Sequence, residues 1–425
     1  MSKYFSSQET QDPNQRERIL LGKLAPFIDY AKAHSTYYAK TLASIEGATI
    51  DSRASLSTLP ITRKSDLIAL QKQSPPFAGL TSSTGKVERI FQSPGPINEP
   101  ENSAHDWWRM GQAFHAAGFR KGDKVQNCLS YHLTPGGFIL DSGARACGCT
   151  VIPAGPGQTD QQLNVIESLQ PQGYCGTPSF LKILLDKAAS QQLDISSISK
   201  ALVTGEAFMP ALRAEFKRAG IQALQAYATA DIGLIGYETA PHDGLIISED
   251  IIVEIVRPGT LHTVADGEIG EVVVTSFNPD YPLIRFATGD LSAVLTPTAI
   301  NPASLCQRTN MRIKGWLGRA DQTCKVKGMF VHPEQLEKVR LQQAQIIKLK
   351  LQVDQQNHND TMTLYCEVSA AYLTGGAQQD DAAKLVEAIA SRLKSVTNLN
   401  GKVILVAIDS LLNDGKVITD LRAIS

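Results

Sequence analysis

Asp290 closes the run Leu283-Ile284-Arg285-Phe286-Ala287-Thr288-Gly289-Asp290. A carboxylate presented after a Thr-Gly turn offers two acceptor oxygens to the paired hydroxyls of a ribose. Gly318-Arg319-Ala320-Asp321 follows shortly after. An Arg-x-Asp in a connecting loop supplies a phosphate donor in Arg319 and a pivot in Asp321. Near the end of the sequence, Asp414-Gly415-Lys416 sets one lysine in a turn-like context. A lysine there can swing onto the junction of a carboxylate and a phosphate, where negative oxygens crowd together and a cation offsets them.

These residues need elements to hold them. Between about 105 and 230 the pattern alternates between helix and strand. His105–Phe119 reads as an amphipathic helix, Lys124–Leu129 as a strand, Gly136–Cys147 as helix and Thr150–Pro153 as strand. Asp160–Leu169, Ser179–Ala189 and Pro210–Gly220 read as helices, interleaved with strands at Gly173–Gly176, Ala201–Thr204 and Gln222–Tyr227. Such alternation predicts βαβ units on a buried parallel sheet, whose ligands bind at the carboxyl ends of the strands. Those ends are His132–Gly137, Gly205-Glu206-Ala207 and Tyr227–Asp231.

Before this region, residues 14–47 read as helices, with Ile19, Leu20, Leu24, Phe27, Ile28 and Ala31 at helical spacing. After it, Ile251–Val256 and Glu271–Thr275 alternate as antiparallel strands. A β-α-β-β-α-β order beyond Asp321 predicts a small ferredoxin-like unit. The fold class is therefore α/β: a large N-terminal domain over 1–320 with a parallel sheet and a β subdomain, and a mobile α+β domain over 321–425.

The bulk numbers bound the function. The 425 residues carry 41 Lys plus Arg against 42 acids, a net charge of −1, with 43% hydrophobic and 20% charged residues. A near-neutral balance argues against nucleic acid or an anionic membrane as the main partner. The polar N-terminal stretch lacks the apolar core of a signal peptide, and no run reaches the ~18 apolar residues of a membrane helix. Seven cysteines without framework spacing point to a reducing cytoplasm. Cys147-Gly148-Cys149 is too tight for a zinc knuckle and reads as structural thiols. Trp107 and Trp108 read as packing.

Together, Leu59-Pro-Ile-Thr-Arg-Lys64, Ala117–Asp123, Gly148–Pro153, Thr177-Pro-Ser179, Pro282–Asp290 and Gly328–Glu334 resemble the phenylacetate–CoA ligases of the adenylate-forming superfamily. The resemblance covers residues 24–422. It gives Asp290 the ribose hydroxyls, Arg319 a nucleotide phosphate or ribose contact, Asp321 the hinge, and Lys416 the adenylation transition state. It gives Gly205, Glu206 and Ala207 the adenine. Tyr227-Ala228-Thr229-Ala230-Asp231 resembles an aromatic-Gly-x-Thr-Glu signature in which the aromatic stacks on adenine and the acid holds Mg²⁺; Ala228 and Asp231 depart from it, although the shorter acid still suits a hard cation. Tyr131, His132, Thr134, Gly136 and Gly137 lie where the family lines its acyl pocket.

The phosphate loop departs most. Thr81–Lys86 is not a Walker A loop, because Gly79 to Gly85 is one residue too long and Val87 stands where Ser or Thr is needed. By position after Arg89-Ile90-Phe91-Gln92, the family's Ser-Ser-Gly-Thr-Thr-Gly-Lys-Pro is here Ser93-Pro94-Gly95-Pro96-Ile97-Asn98-Glu99-Pro100. Ser93 and Gly95 are the nucleotide-binding candidates. Two prolines remove amide donors, and Glu99 replaces the lysine.

The resemblance implies an acid–thiol ligase using ATP, Mg²⁺ and coenzyme A on a carboxylic acid, with an aryl or arylacetic acid as the family-level expectation. Delivery of the acyl group to an acyl carrier protein or an amine, and a non-catalytic nucleotide-binding relative, stay open as alternatives. A homodimer stays open as the assembly.

Overall fold

The computed structural model describes residues 2–93, 96–296, 306–320, 324–326, 329–331, 333–356, 359–373, 379–412 and 417–422. The N-terminal helices Pro13–Gly22, Leu24–His34 and Thr36–Thr41 form where the apolar spacing places them. Asp12 caps the first by accepting from Gln15 N at 2.9 Å, with Pro13 opening the helix. Leu24, Ile28 and Ala31 are fully buried, whereas Ile19 of the same apolar set is 45% exposed.

The central sheet has eight strands. Lys124–Asn127, Thr150–Pro153, Gly173–Gly176, Lys200–Val203 and Gln222–Thr229 run parallel, as the alternation predicts. Direction then reverses: Gln222–Thr229 pairs antiparallel with Gly233–Tyr237, which continues to Leu245–Ile247 and Arg312–Ile313. Asp231 sits in the tight connection at that reversal. The loops after Asn127, Val203 and Thr229 all leave the carboxyl edge of the sheet.

One helix differs from expectation. Within His105–Phe119 only Gly111–Ala116 is helical. Asp106 and Arg109 adopt positive φ (52° and 60°), and the Trp108 carbonyl accepts from Leu234 N at 3.0 Å. Arg109 Nη2 donates to Ile232 O at 2.5 Å. The backbone before Gly111 is committed to the strand Gly233–Tyr237 and cannot also close helical hydrogen bonds. Trp108 is packed in the core at 2% exposure, in keeping with its reading as packing.

A second sheet orders Thr62–Arg63, Leu283–Ser292, Gly270–Ser276 and Ile251–Val256. Thr62 and Arg63 pair in parallel with Phe286 and Ala287, which carries Lys64 to the level of Thr288. Arg285 fixes this arrangement. It is fully buried, its Nε lies 3.0 Å from Glu254 Oε2, and its other nitrogens donate to the carbonyls of Ser57, Leu59 and Leu261. The segment leading to Lys64 is thus pinned to the strand leading to Asp290.

In the C-terminal part, Pro333–Leu341 and Gln379–Thr397 are the helices. The expected β-α-β-β-α-β order holds from Met329–Val331 to Lys402–Val406, but its first strand stays out of the sheet and Ile418–Asp420 takes the fourth place instead. Cys324–Val326 and Met329–Val331 form a separate hairpin, and the four-stranded sheet runs Lys402–Val406, Asn359–Glu367, Lys348–Gln356, Ile418–Asp420. No helix among the described residues is long and apolar enough to cross a membrane.

Candidate active site

Thr288-Gly289-Asp290 is a bulge inside a continuous strand, not a turn. Ala287 faces Val273 and Leu291 faces Glu271, so four steps on one strand match two on its neighbour. Gly289 takes φ 78°, a left-handed conformation that favours glycine. The bulge turns Asp290 towards Tyr227, Trp316 and Arg319. Asp290 Oδ2 lies 2.9 Å from the Tyr227 hydroxyl; Oδ1 accepts from Trp316 Nε1 and Arg319 Nη1, each at 3.1 Å. Gly289 O accepts from Ala320 N at 2.6 Å and Gly318 O from Leu291 N at 2.8 Å, so the Arg319 segment is itself paired onto the bulge.

Tyr227 is 8% exposed and belongs to the hydrophobic core. Burial, and then the charge of Asp290, hold its hydroxyl far above the ordinary phenol range. In this state the ring serves as a buried prop for Asp290. Ala228 and Thr229 complete the same strand, and Thr229 Oγ1 accepts from Ile232 N at 3.2 Å to shape the connection around Asp231.

A second group faces the first. Lys64 Nζ donates to Asp231 Oδ2 at 2.6 Å; the lysine side chain is 21% exposed and the aspartate side chain is fully buried. Burial works to lower the Lys64 pKa, but the charge and hydrogen bond of Asp231, with the charge of Glu99, outweigh it and leave it raised. Asp231 Oδ1 is buried with no hydrogen-bond partner among the described residues. An orphaned buried carboxylate oxygen fits a hard cation such as Mg²⁺.

Arg89–Ser93 and Ile97–Glu101 form the hairpin that carries the altered phosphate loop. Glu99 does not project into solvent. It is 1% exposed and turns back to accept from Ser93 N at 3.1 Å and from the Ser93 hydroxyl. Burial first, and then the charge of Asp231, push its carboxyl up to about 7. The competing loop, Thr81–Lys86, spends its amides elsewhere: Ser82 N and Lys86 N donate to Asp280, and Ser83 N to His34 O.

The loop over residues 130–137 abuts the hairpin, with Gln92 N donating to Leu133 O at 2.8 Å. Tyr131 accepts from Asn127 Nδ2 at 2.7 Å and packs edge-on to Phe138, with centroids 5.2 Å apart. Phe138 meets Phe91 at 5.1 Å, and Phe91 meets Trp108 at 6.1 Å. Gly137 lets the chain pass the Tyr131 ring, which a β-carbon there would meet at 2.7 Å. His132 is exposed and Thr134 partly so; Gly136 opens the helix Gly136–Ala146.

Gly205, Glu206 and Ala207 lie exposed at the carboxyl end of Lys200–Val203, with Glu206 Oε1 accepting from Ser179 N at 2.6 Å. Gly95, Asp321 and Lys416 fall outside the described residues. All seven cysteines are free thiols, and no group of three or more His, Cys, Asp or Glu among the described residues forms a metal cluster.

A cleft of about 590 Å³ opens beside the bulge. Lys64, Gly289 and Arg319 line one wall; Arg340, Lys348 and Leu412 of the C-terminal part line the other. Lys64, Trp316 and Tyr281 are not among the functional residues that the sequence singles out. Lys64 stands in the Leu59–Lys64 motif, which counts towards the resemblance but gives the lysine no role of its own. The indole and the phenol carry no motif of their own.

The family described as AMP-binding enzyme matches residues 102–278. The chain is 27% identical over 413 residues to the phenylacetate-coenzyme A ligase of Aromatoleum evansii, covering 93% of this chain and 91% of that protein. It is 32% identical over 310 residues to the phenylacetate-coenzyme A ligase of Pseudomonas putida, covering 69% and 66%. In fold it is similar to a crystal structure of 2-hydroxyisobutyryl-CoA ligase in the postadenylation state, with TM-score 0.70 and 22% identity over 99% of this chain and 92% of that one. With Lys64, Gly289 and Arg319 lining one cleft, and Asp231 and Asp290 bonded to Lys64 and Arg319, the chain belongs to the phenylacetate–CoA ligase family of the adenylate-forming enzymes.

Proposed function

We propose that this protein is an ATP-dependent acid–coenzyme A ligase acting on an aryl or arylacetic acid. A carboxylate is a poor acyl donor because oxide is its leaving group. In the first step the substrate carboxylate oxygen attacks the α-phosphorus of ATP; the bond to the bridging oxygen breaks and pyrophosphate leaves. In the second, the coenzyme A thiolate attacks the acyl carbon, and AMP departs with the former carboxylate oxygen.

The observation that carries this reading is the bulge that joins Asp290 to Arg319, at a cleft lined by Gly289, Arg319 and Lys64, the last paired with Asp231. Asp290, still held by the Tyr227 hydroxyl, exchanges Trp316 and Arg319 for the ribose hydroxyls, and Arg319 takes a phosphate or ribose contact. Gly205–Ala207 line the adenine and Ser93 the phosphates. Lys416 bridges the carboxylate and the α-phosphate. Asp231 would hold Mg²⁺, which when bound neutralises the departing pyrophosphate. The aromatic run Tyr131, Phe138 and Phe91 supports a ring-bearing acid, with His132, Thr134, Gly136 and Gly137 completing the pocket mouth. The domains divide at Asp321, about which residues 321–425 turn between the two steps. Free thiols throughout are in keeping with the cytoplasm.

Acid-dependent ATP–pyrophosphate exchange across a panel of carboxylates, with and without coenzyme A, tests this. Exchange with arylacetic acids and a coenzyme A ester as product is the expected result. Exchange without that ester moves the acyl acceptor to a carrier protein or amine; no exchange with any acid overturns the ligase reading.

A further inference from the structure

Asp290 already holds two protein donors on one oxygen. Oδ1 accepts from Trp316 Nε1 and from Arg319 Nη1, each at 3.1 Å, and a carboxylate oxygen has about two acceptor positions. Oδ2 accepts from the Tyr227 hydroxyl at 2.9 Å. A ribose hydroxyl that meets Oδ1 must therefore displace a protein donor. Of the two donors on Oδ1, Arg319 has a nucleotide contact to go to, and Trp316 has no assigned role.

The segment that carries Trp316 is fixed. Lys314 N donates to Ala293 O and Leu317 N to Leu291 O, each at 2.9 Å. Leu291 N donates to Gly318 O at 2.8 Å, and Ser292 Oγ to Gly315 O at 2.7 Å. These bonds lie on both sides of Trp316 and run along Leu291–Ala293, so the backbone delivers the indole to Oδ1. The ring itself is not enclosed: Trp316 is 48% exposed, against 2% for Trp108. A half-exposed indole held to its neighbour by its one polar atom can swing away by side-chain rotation alone, with no backbone bond broken. Tyr227 is the opposite case. It lies in the hydrophobic core and stays under Asp290 throughout.

We propose that Trp316 is a specificity-determining residue of the nucleotide site: its indole N–H stands in for one ribose hydroxyl in the free protein and must leave when that hydroxyl arrives. The inference rests on the reading of Asp290 as the ribose carboxylate. The stand-in has two effects. It keeps the buried carboxylate paired while no ligand is present, so that no acceptor is left without a donor. It also weakens the binding of every nucleotide that brings a hydroxyl to Oδ1, because that hydroxyl only exchanges one hydrogen bond for another. A nucleotide lacking that hydroxyl leaves the indole in place and meets no such competition. The protein therefore separates ribonucleotides from the matching deoxynucleotides less sharply than Asp290 alone would.

Calorimetric titration of the full-length protein with AMP, 2′-deoxy-AMP and 3′-deoxy-AMP tests this. Trp316→Phe and Trp316→Leu should each bind AMP about three- to tenfold more tightly than wild type, since a hydrogen bond to a charged group is worth about tenfold or more and half-exposure reduces it. The gain should be absent for one of the two deoxynucleotides, the one that lacks the hydroxyl for Oδ1. Tryptophan emission gives a second readout: AMP shifts it in wild type, and Trp316→Phe removes most of the shift. Thermal unfolding shows each variant folded. AMP affinity unchanged or lowered in both variants, an equal gain for all three nucleotides, or an emission shift kept in full by Trp316→Phe overturns the inference. A gain in Trp316→Phe without one in Trp316→Leu makes the ring rather than the N–H responsible and overturns it too. Acid-dependent exchange, measured separately, keeps the two readings apart. If exchange is present while neither variant binds AMP more tightly, the inference falls alone. If exchange is absent while both variants gain AMP affinity selectively, the stand-in holds and the ligase reading falls. Binding of AMP to none of the three proteins overturns the inference whatever the exchange result.

Discussion

The hydroxyl of Tyr227 lies 2.9 Å from Oδ2 of Asp290, joining the strand that ends the parallel sheet to the bulge of the second sheet. Tyr227→Phe keeps the ring and removes this link. A hydrogen bond to a charged group is worth about 1.5–3 kcal/mol, so AMP affinity should fall by roughly tenfold or more. Tyr227→Ala, which also removes the ring, should lose further affinity. Calorimetric titration with AMP checks both; an unchanged Tyr227→Phe would dissociate the hydroxyl from nucleotide binding.

Lys416→Ala should slow adenylation by orders of magnitude while pre-made acyl-AMP still reacts with coenzyme A. The lysine is assigned to the first transition state only, where it offsets the meeting of carboxylate and phosphate. Single-turnover measurements of each half-reaction check this. Equal loss of both would remove the division of labour.

Arg285→Met should destabilise the protein by about 3–5 kcal/mol, because it leaves Glu254 buried and unpaired and frees three carbonyls. Denaturant unfolding reads the change. Adding Glu254→Gln should recover part of it, since the uncompensated charge is then gone. A loss below about 1 kcal/mol would show the pair to be dispensable.

Asp106 accepts from Gly111 N and adopts positive φ, which asparagine tolerates equally well. Burial lifts its carboxyl from 3.8 to about 7. Between those values the folded protein holds a proton that the unfolded chain has released, so this group's contribution to stability falls as pH rises through that window. The full loss is up to about 4 kcal/mol, reduced by the residue's partial exposure. Asp106→Asn should therefore flatten the stability profile between pH 4 and 7 and gain over wild type at pH 8, as followed by thermal unfolding.

The elements most legible in the sequence are those with strong local signals. Thr150–Pro153 and Gly173–Gly176 are bounded by turns, and they form where the pattern puts them. The true extent of the helix within 105–119 is illegible because its apolar residues serve a strand contact at Trp108, distant in sequence. The bulge at Gly289 escapes for a related reason: Thr-Gly-Asp carries the same local preference in a turn and in a bulge, and only pairing with Gly270–Ser276 and Gly318–Ala320 decides between them. In the site, Asp290 and Arg319 are readable from sequence and the structure joins them directly, whereas Lys64 reaches Asp231 only because Arg285 holds residues 57–59 against a strand more than two hundred residues later.

The pairing of Ala320 with Gly289 has a mechanical consequence. The segment that leads into the C-terminal unit leaves from the Asp290 bulge itself. If residues 321–425 turn as proposed, a ligand that draws Asp290 away from Arg319 would load the axle of that rotation rather than its rim. Departure of the ligand would unload the same bearing.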